Sequence, residues 1–507
     1  MSRSFVRKVD SKVIFAHKWS RLVLVGLIVC FCFAGLLVAT AKADADTGAP
    51  PEMPTYDVDV VVFGSQTSGI AAVREITLAD PSLRVAFVSC GNLLETPLAQ
   101  GLSVEDTRDG GNVSGGMYKE WRDGVEKYYR QRGLSAFNSK GRLTYEPEVA
   151  ASVLWSFVKG PSAPNVRFFS ASLVAADDSG AQRYVELAVE NVGIVRVNTS
   201  YFIDASVEGD LARMLGASYR IGRDETVYND SAGLTPEYPG PQNDYVTAPQ
   251  RFSPLLVLKV YARGSAPRVA SLSNPVYDPG SYASLGPFSQ KTLTAFKASW
   301  TMTVAVLPSA KRELNEAWND WPDVGLAFDW IFHPEDRAKI RARVLQWSIN
   351  RVRYLQEHGY PRVGIATVPQ KLYIREGPRI EGLDTYDSTD LVSKTVRDCV
   401  AIGCYVEYDR HDNFLPNQID TTQYAYVPMG TLLAKDHPWL VVSTAISTDF
   451  QAYSSAVRME HTRANIGGAA GALIVQAAHL GVAPAAVPYG NVRQELLSRG
   501  YKVDPVN

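Results

Sequence analysis

Y-D-V-D-V-V-V-F-G-S-Q-T-S-G, residues Tyr56 to Gly69, is the stretch that decides the fold. Val58, Val60, Val61, Val62 and Phe63 form a short, apolar, β-branched run, the pattern of a strand buried on both faces of a parallel sheet. The run ends at Gly64. Gly69 then opens an apolar, alanine-containing helix expected over Ile70 to Leu78, and R-V-A-F-V-S from Arg84 to Ser89 reads as a second strand. A strand, a glycine turn, a helix and another strand make the first βαβ unit of a dinucleotide-binding fold. Backbone N–H groups at a helix N-terminus, unobstructed by side chains, can hold a pyrophosphate. Two positions depart from the full pattern. Gln66 stands where a third glycine is usual, and Ser89 ends the second strand where an acid usually binds a ribose hydroxyl, with Glu95 further on.

Two later junctions extend the pattern. Tyr201 to Glu208 (Y-F-I-D-A-S-V-E) runs as a strand into Asp-Ala-Ser, then Gly209, Asp210 and a helix from Leu211 to Leu215. Near the C-terminus, Arg458 to Gly471 (R-M-E-H-T-R-A-N-I-G-G-A-A-G) reads as a polar loop before a Gly/Ala-rich apolar helix through Leu480. Three such junctions, far apart in sequence, fit one sheet that binds one extended cofactor.

At this point the chain resembles the FAD-dependent oxidoreductases whose nucleotide fold is similar to that of glutathione reductase and fumarate reductase. The resemblance rests on Val60 to Gly64 with Ser68 to Ala72, Gly101-Leu102-Ser103 with Asp106-Thr107, and Tyr145-Glu146-Pro147. It continues through Phe202 to Ala205 with Glu208 to Leu211, Leu372 to Glu376 with Arg379, Val427-Pro428-Met429, and Arg458 to Gly471. It implies FAD as cofactor, held by Gly64, Ser68, Gly69, Ser89, Asp204, Ala205, Asp210, Gly467, Gly468 and Gly471. Relatives often carry a Gly-Gly-Met turn where this chain has Glu95-Thr96-Pro97. The implied fold class is α/β: a Rossmann-like FAD-binding domain with an inserted β-meander and a second, largely helical substrate domain. The expected boundaries are 56–235 for the first part of the FAD domain, 236–410 for the substrate domain and 411–507 for the C-terminal part of the FAD domain.

The chain has 507 residues, enough for two or three domains. Residues 1–43 differ from the rest. Six basic residues from Arg3 to Arg21 precede a charge-free run from Leu22 to Ala41, then Ala41-Lys42-Ala43 and a linker over 44–55. This reads as an export signal with a small-x-small cleavage site. The rival is an uncleaved membrane anchor, because the run is long enough to span a bilayer. Either way the body is expected outside the cytoplasm. Residues 1–43 hold seven Lys/Arg and one Asp; setting them aside takes the 51 basic and 53 acidic residues to 44 and 52, a net of −8. That balance, without a basic aromatic patch, argues against nucleic acid as a partner; the partner expected is a small-molecule substrate. Of five cysteines, Cys30 and Cys32 lie in the apolar run, leaving Cys90, Cys399 and Cys404. A Cys399–Cys404 bridge is one expectation, two structural thiols the other.

Along the body, Val166 to Val197 reads as the β-meander, Gly222 to Asn274 as loops, and Ser309 to Ala317 and Pro334 to Glu357 as helices. Four side chains are candidates for chemistry. Arg375 and Arg379 follow Leu372-Tyr373-Ile374 in a polar break, where a guanidinium can bind a carboxylate or stabilise a reduced flavin; a structural ion pair with Glu376 or Glu381 is the alternative. His411 follows Tyr408-Asp409-Arg410, and a histidine beside an acid can take a proton from an alcohol as hydride leaves; a turn-capping loop histidine is the alternative. His461 precedes the Gly467 helix and is near the flavin if that helix start faces it. No zinc spacing, nucleophile elbow or phosphate-binding P-loop occurs. The expected activity is hydride transfer between a small organic substrate and FAD. The rivals are a non-catalytic binding protein on a degenerate flavin fold and a polysaccharide lyase.

Overall fold

Val60–Phe63 (β2) is buried at every residue and is followed by Gly64, the helix Thr67–Ala79 (α1) and Val85–Ser89 (β3). The computed structural model describes residues 53–105, 113–237, 247–262, 264, 266–270, 276–283, 306–309, 311–315, 320–321, 325–405 and 424–506. β2 pairs in parallel with β3, as a βαβ crossover requires. Tyr201–Asp204 (β7) lies on the other side of β2, also parallel, with Val60 opposite Tyr201 and Phe63 opposite Asp204. Leu440–Val442 adds a parallel edge strand beside β7. Buried β-branched and aromatic residues fill these strands because helices cover both faces of such a sheet.

The β-meander arises from a single long strand. Val166–Asp177 (β4) pairs in parallel with β3 through Ser170, then turns antiparallel to Arg183–Val189 (β5) from Ala171 onward. Gly193–Thr199 (β6) completes the meander, and Thr55–Asp57 (β1) pairs with it in parallel. One eight-stranded sheet results, in the order β1-β6-β5-β4-β3-β2-β7 and then Leu440–Val442. The expected meander over Val166 to Val197 is present, and its first half is also a strand of the Rossmann-like core.

The C-terminal helix Glu460–Leu480 packs along α1. The contact is backbone-close. A Cβ on Gly467 would lie 2.0 Å from the Ser68 carbonyl oxygen, and one on Gly471 would lie 2.7 Å from that of Ala72. Ile70, Val73 and Ile76 on α1 and Ile466, Leu473 and Ile474 on its partner are all buried. Each such side chain contributes about 1.5–3 kcal/mol by leaving water.

The second region, between β7 and the return of the chain to the sheet, contains the helices Gly325–Phe332 and Arg337–Glu357. It also contains an antiparallel sheet of Leu256–Val260 flanked by Lys311–Leu314 and Val363–Thr367. Here the structure corrects two expectations. Lys311–Leu314, expected as helix, is a strand: its helix-favouring residues yield to pairing with Leu256–Val260 and to burial of Arg312, Glu313 and Leu314. Gly222 to Asn274, expected as loops, contains the strands Asp224–Tyr228 and Leu256–Val260. Cys399 and Cys404 form no disulfide and stand at opposite ends of the strand Cys399–Cys404. Five residues of strand separate them, a span several times the roughly 6 Å between Cα atoms that a disulfide bridges. Among the described residues no helix is long and apolar enough to cross a membrane. Residues 22–41, expected as signal or anchor, lie outside the described residues.

Candidate active site

The site forms where the β2–α1 turn, the end of β7 and the start of the Glu460–Leu480 helix meet. Gly64 has φ +99°, and a Cβ there would lie 2.6 Å from the Ser206 backbone nitrogen. Gly69 is equally enclosed, its missing Cβ pointing at the Gly64 carbonyl and at Ala205. These two glycines let the turn close tightly against the β7 junction, the backbone geometry that a dinucleotide turn needs. Gln66 is extended and does not cap α1 with its side chain, so it supplies no acceptor to the first N–H groups of the helix.

Protein groups already reach this turn. Glu95 Oε2 accepts the Ser65 N–H at 3.1 Å, and the Ser65 Oγ accepts the Glu95 N–H at 2.9 Å. Thr67, the first residue of α1, donates its hydroxyl to the Glu460 carboxylate and shares a 2.6 Å hydrogen bond with Thr96. Ser89 Oγ shares a 2.6 Å bond with Ser65 Oγ and donates to the Leu93 carbonyl at 2.8 Å. Ser68 Oγ pairs with Thr444, and Thr444 donates to the Ala205 carbonyl at 2.8 Å.

Asp204 is fully buried. It accepts the Ser206 N–H and hydroxyl at 2.8 and 2.7 Å and the Ala212 N–H at 2.8 Å. Burial raises its carboxyl to about 7 despite these donors. It braces the turn into the Asp210–Leu215 helix rather than standing open to a ligand. Asp210 forms a bidentate pair with Arg337 at 2.6 and 2.8 Å. Beside it, Lys371 Nζ lies 2.6 Å from Glu95 and 3.4 Å from Glu208. Burial alone would raise the Glu208 carboxyl, but Lys371, Arg337 and the Trp330 indole N–H hold it at about 2. Burial likewise opposes the charge on Lys371, and its two carboxylates overcome that and raise its pKa. This network ties the second region to the edge of the central sheet.

The four expected catalytic side chains fare differently. Arg375 is buried and spent on protein: it donates to the Arg251 carbonyl at 3.0 Å, Asp320 at 3.2 Å and Ser253 at 2.7 Å. Arg379 donates to the carbonyls of Thr448 and Gly222 at 3.0 and 2.8 Å and pairs with Glu376 at 3.4 Å. Both are engaged by the protein: Arg379 with Glu376, one of the ion-pair partners expected from sequence, and Arg375 with Asp320, which was not. His461 Nε2 accepts the Cys404 N–H at 3.2 Å. Burial holds its pKa at about 4, so the imidazole is neutral and its acceptor nitrogen is already used. His411 lies outside the described residues. Gly467 and Gly471 turn their missing side chains toward α1, and Gly468 turns toward the Tyr501 phenol. Packing thus accounts for all three.

A narrow cavity opens beside the start of the C-terminal helix, between apolar Leu98, Leu102, Val104 and Met459 and polar Tyr373, Glu460 and His461. Arg458 Nη1 donates to the Tyr373 hydroxyl at 3.3 Å, and the Arg375 guanidinium lies 4.7 Å over the Tyr373 ring. Burial raises the Tyr373 phenol, partly offset by Arg458 and Arg375, so it stays protonated. Arg463 donates to Glu460 at 2.9 Å and to Tyr453 at 3.2 Å. The sequence points to this cluster only through R-M-E-H-T-R. Read as a loop, that stretch hides its spacing; as the first turn of a helix it places Glu460 and Arg463 on one face.

The sequence profile of a family described as FAD dependent oxidoreductase matches residues 59–496. The chain belongs to that family. Membership indicates FAD as cofactor and an oxidoreductase activity. Among solved structures, the chain is similar to a quinol fumarate reductase FrdA variant of E. coli, at 11% identity and TM-score 0.34, over 88% of this chain and 74% of that one. It is also similar to the L-proline dehydrogenase of P. horikoshii, at 14% identity and TM-score 0.19, over 35% of this chain and 27% of that one. A third is AlpK, at 19% identity and TM-score 0.25, over 43% and 40%. The chain thus spans less than half the length of the latter two. At these scores the likenesses say nothing about substrate. No curated protein matches the chain.

The residues present fit FAD at the level of the backbone. Gly64 and Gly69 form the close turn, and the N-terminus of α1 lies at the carboxyl end of β2. The turn from Ser65 to Gly69 would hold the pyrophosphate.

Proposed function

We propose that the chain passes hydride between a small organic substrate and FAD, with the reacting carbon seated in the cavity beside Met459. The observation that carries this reading is a partly apolar cavity lined by Tyr373 and by the start of the Glu460–Leu480 helix, whose Glu460 accepts the hydroxyl of Thr67 at the β2–α1 turn. Bound FAD supplies a ring nitrogen that accepts or donates hydride. The chain's own residues do the remaining work. Leu98, Leu102, Val104 and Met459 exclude water. The Tyr373 hydroxyl, which accepts from Arg458, keeps its own proton free to donate to a substrate oxygen. His411 is the proposed proton acceptor, on its place after Asp409 in sequence. Arg375 and Arg379 support the segment that carries Tyr373.

The test is anaerobic flavin reduction by candidate substrates. Tyr373→Phe and His411→Ala are each expected to keep the flavin bound and to slow its reduction by about 10²-fold or more. Unchanged reduction in either variant would remove that residue from the mechanism.

A second reading, a flavin-free binding protein on the same fold, is favoured by the hold of Glu95 and Glu460 on the turn. Stable protein that takes up no FAD would support it.

A further inference from the structure

We propose that Glu460 and Glu95 are internal placeholders for the FAD pyrophosphate, occupying the β2–α1 turn until the cofactor displaces them. The inference rests on the FAD reading above and concerns how this chain admits its cofactor.

The geometry is specific. In a dinucleotide turn the first N–H groups of the helix and the turn before it hold the phosphate oxygens. Here the Ser65 N–H is donated to the Glu95 carboxylate, and the Thr67 hydroxyl, at the first residue of α1, to that of Glu460. Two carboxylates thus lie where two phosphate charges would come. Both are buried. A helix N-terminus favours an anion, and these side chains satisfy that preference from within the chain.

Displacement need not strand a buried charge. Glu460 is paired with Arg463, three residues along the same helix, at 2.9 Å. Glu95 is paired with Lys371 at 2.6 Å. Each carboxylate can leave the turn and keep its cation, so the turn alone changes partner. Removing both hydrogen-bond partners of a buried carboxylate would be far more costly than this exchange. A bland account exists, in which the two carboxylates are only ties between neighbouring segments. The two accounts differ in what neutralising them does to FAD affinity.

The experiment is equilibrium titration of full-length apoprotein with FAD, followed by flavin fluorescence, for the wild type, Glu460→Gln and Glu95→Gln. Gln keeps the size and hydrogen-bonding capacity of Glu, and a thermal melt of each variant confirms folding. The expected result is FAD binding about tenfold tighter in Glu460→Gln, with a smaller gain in Glu95→Gln, because like-charge repulsion at a few ångströms is removed. A matching gain should appear for inorganic pyrophosphate as competitor. Equal or weaker affinity in both variants, with measurable binding by the wild type, would overturn the inference and leave the FAD reading intact. No FAD binding by any of the three proteins would overturn both. If Glu460→Gln melts much lower than the wild type, Glu95→Gln, which also removes one carboxylate charge from the turn, carries the comparison.

Discussion

The turn from Gly64 to Gly69 and the segment from Lys371 to Arg379 both invite a functional reading, and the structure treats them in opposite ways. In the turn, the decisive property is what is missing: no Cβ at Gly64 or Gly69, and no side-chain cap on α1. In the segment, the decisive property is charge, and nearly every charge is spent on a distant partner. Arg375 reaches Asp320, Lys371 reaches Glu95 and Glu208, and Arg379 reaches the carbonyl of Gly222. Backbone permissiveness is a local property and survives any context. A side chain's role depends on what the rest of the fold brings to it.

That contrast can be broken most forcefully at Arg375. If it is a structural tie, Arg375→Met should destabilise the protein by about 3–5 kcal/mol, since it takes the cation from a buried pair. Chemical denaturation measures this; an unchanged midpoint with lost substrate turnover would instead return Arg375 to the substrate site. The next effect is at Gly467. A methyl group there meets the Ser68 backbone, so Gly467→Ala should cost about 1–3 kcal/mol from overpacking, even though Ala favours a helix. A gain in stability would show that α1 and its partner separate without penalty.

The contrast sharpens with pH. Glu75 on α1 is buried, and burial, against the pull of Arg499, raises its carboxyl from 4.5 to about 7. Between these values the folded state holds a proton that the unfolded state has released. Glu75 therefore lowers stability as pH rises from about 4.5 to about 7. Glu75→Gln, which mimics the protonated acid, should match the wild type near pH 4.5 and exceed it by about 1–3 kcal/mol at pH 8. Melts across that range measure the difference; parallel curves would contradict it. The smallest effect is at Gly490, in the helix Tyr489–Ser498, where a Cβ meets nothing within 4 Å. Gly490→Ala should stabilise by about 0.5 kcal/mol, opposite in sign to Gly467→Ala.

The same contrast explains what was legible in the sequence. The parallel core, the meander and the Gly/Ala-rich helix through Leu480 follow from periodicity and glycine placement, and the structure contains each. Lys311–Leu314 did not follow, because its strand state depends on Leu256–Val260, more than fifty residues earlier. The candidate site was legible only in part. Gly64, Gly69 and the turn into α1 stand where the sequence puts them. Tyr373, Arg458, Glu460 and Lys371 went unassigned because their roles rest on partners remote in the chain: Glu460 on Thr67, Lys371 on Glu95. Gly467 and Gly471 were visible as glycines, but not which surface they approach.

The central claim is that the β2–α1 turn of this chain carries FAD. Its most direct test is the visible absorption spectrum of the purified protein, incubated with excess FAD, freed of unbound cofactor and read before and after denaturation. The account predicts an oxidised-flavin band that travels with the folded protein and passes into solution when it unfolds. A folded protein that remains colourless would contradict it.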